Sequence, residues 1–187
     1  IPTAVTELGR RALAFCSGLQ QITLDAQIRV LDEEALLGCF SLAALSLPDT
    51  IEKISDRAIS RCISLTSVHI PKNLGELGEC SFADCKKLQT VSLPTTLKRI
   101  DDRAFEGCSS LHTVLLPDCH TSIGRSVFAC CESLGLLVVP DASLLFRHRR
   151  ERWEVPKDTQ IILHGELKLA LLFSELTDAS TSAERKQ

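Results

Sequence analysis

Six cysteines stand 23 residues apart in this chain: Cys16, Cys39, Cys62, Cys85, Cys108 and Cys131. Three positions after each comes a leucine, giving Leu19, Leu42, Leu65, Leu88, Leu111 and Leu134. A third column holds Pro2, Pro48, Pro71, Pro94, Pro117 and Pro140, broken only at Asp25, each proline preceded by an aliphatic residue. Three columns in one phase make the chain an array of similar units. A unit this small cannot bury its apolar side alone, but stacked copies place like residues over like and form a continuous core.

The unit at 89–111, QTVSLPTTLKRIDDRAFEGCSSL, can be read physically. Val91 and Leu93 alternate with Thr90 and Ser92, the period of a half-buried strand, and Pro94 ends it because proline cannot donate to a ladder. Leu97 and Ile100 follow as the chain turns back. Asp101 is placed to cap a brief helical segment carrying Ala104, Phe105 and Cys108, and Leu111 leads to the next strand. The expectation is an α/β repeat solenoid with a parallel sheet on one side and short helical or irregular turns on the other.

The phrase L-x-x-[VI]-x-[LI]-P followed by I-x-x-x-A-F-x-x-C-x-x-L resembles the BspA-type leucine-rich repeats, found in bacterial surface proteins and in large numbers in protists. The match covers roughly residues 1–140 in about six units. The resemblance implies a curved or flattened solenoid that binds other macromolecules and has no catalytic residues of its own. The stretch 139–164, VPDASLLFRHRRERWEVPKDTQIILH, resembles the closing segment of such arrays, where a capping helix and a last strand seal the open end. One solenoid domain over 1–164 is therefore expected. Residues 165–187 follow it as an amphipathic helix, with Leu169, Leu172, Phe173 and Leu176 on one stripe of Glu166–Leu176, and a polar tail.

Composition removes several function classes. A net charge of −3 gives no basic field to recruit nucleic acid or anionic lipid. The longest apolar stretches, such as Leu134–Val139 and Leu169–Phe173, fall far short of the roughly 20 residues that span a bilayer. With no methionine and no basic-then-apolar start, Ile1 reads as part of a processed product or of a longer polypeptide.

The cysteine column reads first as a core ladder of small, buried thiols. Disulfides are the alternative, since stacked strands lie about 4.8 Å apart and bridged cysteines have Cα separations of about 4.4–6.8 Å. However, nine cysteines is an odd number and the ladder side chains point inward in parallel. Reduced thiols, and so an intracellular, reducing compartment, are favoured; the cell surface is the alternative.

The sixth unit is unusual in holding Cys119 and His120 ahead of Cys130 and Cys131, but neither pair has the C-x₂₋₄-C spacing of structural zinc, so no metal is assigned. Glu33, Asp56, Glu79 and Asp102 form a row that follows from the repeat and reads as turn caps. The histidines have no nucleophile partner assignable from spacing and no phosphate-loop, dinucleotide or HExxH motif occurs, so neither an enzyme nor a cofactor is expected. The run RHRRER at 147–152 reads as the wet face of the capping helix. Leu144, Leu145 and Trp153 would lie beneath it, with Arg147 and Arg150 outside and open to protein contact.

Residues that alternate with the core along the strands define the most informative surface. They are Gln21 and Thr23, Ala44 and Ser46, Ser67 and His69, Thr90 and Ser92, Thr113 and Leu115, then Leu136 and Val138. None is charged when His69 is neutral, and the apolar end at Leu115, Leu136 and Val138 calls for a cover. The cover is either the chain's own Glu166–Leu176 segment or another polypeptide. These residues from Ala44 to Val138, with Arg147 and Arg150, are the expected protein-binding set. The leading reading is a noncatalytic subunit that docks with other protein subunits through this face and the solenoid ends, including an open amino-terminal end, because Ile1 begins within a repeat. The alternative is an extracellular adhesin fragment that binds host or matrix proteins.

Overall fold

The computed structural model of the chain describes residues 5–24, 27–117, 121–140 and 150–163. Expectations that fall on Cys119, His120, Leu144, Leu145, Arg147, the Glu166–Leu176 segment or the polar tail lie outside the described residues.

One sheet carries the alternating strand of each unit: β1 (Gln21–Thr23), β3 (Ala44–Ser46), β5 (Ser67–Val68), β7 (Thr90–Ser92), β9 (Thr113–Leu115), β11 (Leu136–Val139) and β12 (Gln160–Leu163). It runs as two parallel ladders, β1-β3-β5 and β7-β9-β11-β12, which meet where the Gln89 amide donates to the Thr66 carbonyl at 3.1 Å. Between successive units the register is one repeat, as in Ile22 with Leu45 and Val91 with Val114. Leu45, Val91, Val114 and Leu137 point inward and are buried.

A second sheet was not expected from the sequence. After each proline corner the chain forms a two-residue strand: β2 (Val30–Leu31), β4 (Lys53–Ile54), β6 (Glu76–Leu77), β8 (Arg99–Ile100) and β10 (Ser122–Ile123). All five pair in parallel in the order β10-β8-β6-β4-β2, and Leu8 extends the row by a bridge to Leu31. Leu31, Ile54, Leu77, Ile100 and Ile123 bury the inner side. The architecture is thus a parallel-sheet β-solenoid of about six coils.

On the third side, of the helical or irregular turns expected, the irregular ones form. No helix forms around Ala104–Cys108; alternate amides instead point along the solenoid to the next coil. Leu13 donates to Ala35 at 2.9 Å, Leu36 to Ala58 at 2.8 Å, Ile59 to Ser81 at 2.9 Å, Phe82 to Ala104 at 2.8 Å and Phe105 to Val127 at 3.0 Å. The amides between them close tight turns within the coil, as Ala83 does to Cys80 at 3.0 Å and Glu106 to Arg103 at 3.0 Å. An α-helix would spend every amide inside its own coil, so this arrangement trades helical bonds for inter-coil ones. Its backbone cost is visible in the left-handed residues Arg57 and Arg61, Cys80 and Asp84, and Ser126 and Cys130, all at φ of 53–61°. A left-handed non-glycine residue costs roughly 1–2 kcal/mol. Gly38 and Gly107 occupy the same position without that cost, at φ 68° and 71°.

The predicted role of Asp101 changes for the same reason. With no helix to cap, its neighbour Asp102 accepts the Arg125 amide of the next coil at 2.8 Å, as Asp56 accepts that of Glu79 at 2.9 Å. Two members of the carboxylate row, Asp56 and Asp102, therefore staple coil to coil.

The core is a set of stacked columns. Leu42, Leu65, Leu88, Leu111 and Leu134 form one; Phe82, Phe105 and Phe128 form another, their rings stacked at 5.4 Å and 6.1 Å. At the carboxyl end, what is described of the expected capping helix is the single turn α1 (Arg150–Trp153). It takes the place of a seventh corner, since Ser126 donates to the Arg152 carbonyl at 2.7 Å and Phe128 to that of Trp153 at 2.9 Å. Trp153 is fully buried, and β12 then pairs with β11.

Candidate docking face

The cysteine column acquires a chemical reason once the coils are stacked. Each buried thiol donates to a carbonyl of the preceding coil: Cys39 to Leu13 at 3.2 Å, Cys62 to Leu36 at 3.4 Å, Cys85 to Ile59 at 3.3 Å, Cys108 to Phe82 at 3.2 Å and Cys131 to Phe105 at 3.1 Å. The Phe82 and Phe105 carbonyls also accept the amide of their own coil's cysteine, at 3.3 Å and 3.2 Å, so both lone pairs are used. Donation requires the proton, and burial secures it. Desolvation pushes Cys62 and Cys131 up to about 12 and Cys85 and Cys108 well above the ordinary thiol value. All the described cysteines are free thiols; Cys16 and Cys130 are exposed and Cys80 is half-buried.

The outer side of the first sheet is where the candidate binding residues meet. Ala44, Ser46, Ser67, His69, Thr90 and Ser92 are exposed and lie in register over three coils. His69 Nε2 lies 3.4 Å from Asp49 Oδ1 at the rim. The Lys72 amide, donating to the same oxygen at 3.0 Å, holds the Asp49 carboxyl below the usual carboxylate range. Toward β12 the face closes: Thr113, Leu115 and Leu136 are half-buried. Val138 is a correction to the expected exposed set. It is only 2% exposed, flanked in register by Leu115 on β9 and Ile162 on β12, and belongs to the packed end of the solenoid. Arg147 lies outside the described residues, and of Arg150 only the backbone, in α1, is described.

The second sheet presents the opposite chemistry. Its outer side and adjoining corners carry ion pairs between residues one repeat apart: Arg10–Glu33 at 3.1 Å, Arg29–Glu52 at 2.8 Å, Lys53–Glu76 at 3.4 Å and Arg99–Glu76 at 3.2 Å. Such exposed pairs add little stability, at most about 1 kcal/mol each, but they keep this side wet and charged. The sequence signal was present as opposite charges 23 positions apart. Among the described residues no group of three or more histidine, cysteine or acidic side chains is placed to hold a metal ion. Also among them, no helix is long and apolar enough to cross a membrane.

Comparison with known proteins agrees with this architecture. The model of the BspA type leucine rich repeat region matches in six copies over residues 1–74 and 31–146. No curated protein matches. Among solved structures, the T. pallidum leucine rich repeat protein is similar at 23% identity and a TM-score of 0.62, with 86% of this chain and 85% of that chain covered. A leucine-rich repeat protein from Eubacterium ventriosum has a TM-score of 0.58 at 16% identity, over 77% of this chain and 41% of that one. A leucine rich cell surface protein from Faecalibacterium prausnitzii has a TM-score of 0.53 at 17% identity, over 83% of this chain and 56% of that one. These likenesses are of fold. Together with six coils in a fixed register and a column residue for each repeat position, the family match shows that the chain belongs to the BspA-type leucine-rich repeat family.

Proposed function

We propose that the chain is a noncatalytic interaction module, a single solenoid over residues 1–164, that docks with other protein subunits in a larger assembly through the outer face of its first sheet and the solenoid ends. The observation that carries this reading is the difference between the two sheets. One is studded with ion pairs; the other presents Ala44, Ser46, Ser67, Thr90 and Ser92 without a formal charge over three coils. Small uncharged side chains on a flat sheet are inexpensive to desolvate and allow close approach of a partner. The free, protonated thiol ladder fits a reducing, intracellular compartment.

The test is the protein purified natively from its own cells. A stoichiometric complex is expected, lost when Thr90→Glu places a charge on the face and retained when Lys98→Glu changes the opposite side. Loss with both variants, or with neither, refutes the face as the docking surface. A second reading, a surface adhesin, is favoured by one finding: a fold relative is described as a cell surface protein. It requires the exposed face to bind an extracellular protein and the cysteines to withstand an oxidising environment.

A further inference from the structure

Along the first sheet one outward column runs Ser46, His69, Ser92, Leu115, Val138, Ile162, one residue per coil, with His69 just past the end of β5. The first three are exposed, Leu115 and Ile162 are half-buried and Val138 is 2% exposed. Its neighbouring column changes in step, from exposed Ala44, Ser67 and Thr90 to half-buried Thr113 and Leu136. The face therefore changes between β7 and β9: beyond it the first column is apolar, while the second runs Thr113, Leu136 and exposed Gln160. Leucine, valine and isoleucine side by side on the outer face of three adjacent strands would be an unusual free surface, and their low exposure is that of a covered one.

We propose that the chain covers this end itself: the segment Glu166–Leu176 packs as a helix across the outer side of β9, β11 and β12, seating Leu169, Leu172, Phe173 and Leu176 on Leu115, Leu136 and Ile162. Chain geometry supports this occupant. β12 ends at Leu163, at the edge of the apolar patch, and His164 and Gly165 are the only residues between it and the segment. Three peptide units reach up to about 10 Å, enough to fold back over the adjacent strand. An eleven-residue helix is about 16 Å long, which matches the roughly 10 Å from β12 to β9 plus the side-chain borders. The stripe has the i, i+3, i+4, i+7 spacing of one helical face, and Lys168, Ser174 and Glu175 fall off it. The consequence is a division of the sheet: coils carrying Ala44 to Ser92 stay open to partners, and the rest belongs to the chain's own tail. This inference stands apart from the docking reading, because it concerns the other half of the face.

The test is a double-mutant cycle in the full chain between Leu136→Asp and Phe173→Asp, read by thermal unfolding, with Leu171→Asp and Ser174→Asp as off-stripe controls. Each of the first two variants is expected to lower Tm by about 5 °C or more, and the pair together by little more than the larger single effect. The controls should leave Tm within about 2 °C of the parent. Additive losses, or a Leu171→Asp effect equal to that of Phe173→Asp, overturn the proposal. So does a mass in solution that is dimeric in the parent and monomeric in Phe173→Asp, which assigns the patch to a second copy. A chain ending at Gly165 gives a further check: it should bind a hydrophobic dye that the full chain does not, and equal dye binding contradicts a tail cover.

Discussion

Raising the pH should unfold this protein through its thiols. An unfolded cysteine loses its proton around the ordinary value of 9.0, whereas burial in the fold pushes Cys62 and Cys131 up to about 12 and holds Cys85 and Cys108 well above the ordinary value. Between those limits the folded state binds more protons than the unfolded state, so stability is complete below pH 9 and is lost as pH rises toward the folded values. At pH 10 an unfolded thiol is about nine-tenths ionised, which costs a little over 1 kcal/mol per ladder position by linkage. Four positions together lose about 5 kcal/mol, a large part of the roughly 5–15 kcal/mol that holds an ordinary domain. The chain has no tyrosine, so thiols dominate titration in this window before the lysines begin. Urea unfolding at pH 7.5, 8.5, 9.3 and 10 under reductant, followed by circular dichroism, measures the loss. The fluorescence of Trp153, the only tryptophan and fully buried, reports the carboxyl-terminal coil separately. A Cys85→Ala/Cys108→Ala variant will be less stable at pH 7.5 yet should lose only about half as much on going to pH 10. A midpoint that does not move between pH 7.5 and 10, or an equal loss in parent and variant, refutes the protonated ladder.

Three further substitutions test the packing. Ser81 is fully buried with its hydroxyl unpartnered in a column whose other buried members are Ala35, Ala58, Ala104 and Val127, so Ser81→Ala should raise the urea midpoint by an amount worth about 1 kcal/mol. Phe105 lies between Phe82 and Phe128 in the ring stack; Phe105→Ala should cost about 3–5 kcal/mol, and a loss below about 1 kcal/mol would show that the stack does not hold the coils. At Gly78 a Cβ would stand 2.7 Å from the Asp56 amide nitrogen and from the Ser55 carbonyl carbon, so Gly78→Ala should cost about 1–3 kcal/mol. Gly18→Ala, where nothing lies within 4 Å, is the matched control and should leave the midpoint nearly unchanged.

Much of the fold was legible because a repeat reports packing many times over. Val91 and Leu93 alternating before Pro94 placed the first sheet, and the Cys and Leu columns placed the core. The second sheet escaped because Arg99–Ile100 and its counterparts are two residues long, too short for a period-2 pattern to register. Helical turns were expected around Phe105 because Ala104, Phe105 and Cys108 have helical spacing. Inter-coil hydrogen bonds and left-handed residues such as Arg103, at φ 57°, provide the same inward directions without a helix. The outer face was legible from strand alternation, except at Val138: a pattern tells which way a side chain points, and its neighbours across the sheet decide whether it is exposed.

The account rests most directly on the thiols being free in the protein as it occurs. The decisive measurement is a thiol count on protein purified from its own cells without reductant, denatured in the presence of an alkylating reagent and weighed by mass spectrometry. Nine alkylated cysteines are predicted, as a protonated ladder in the proposed reducing compartment requires. A count of seven or fewer, with a bridge that includes a ladder cysteine, would contradict both the thiol-to-carbonyl ladder and the compartment inferred from it.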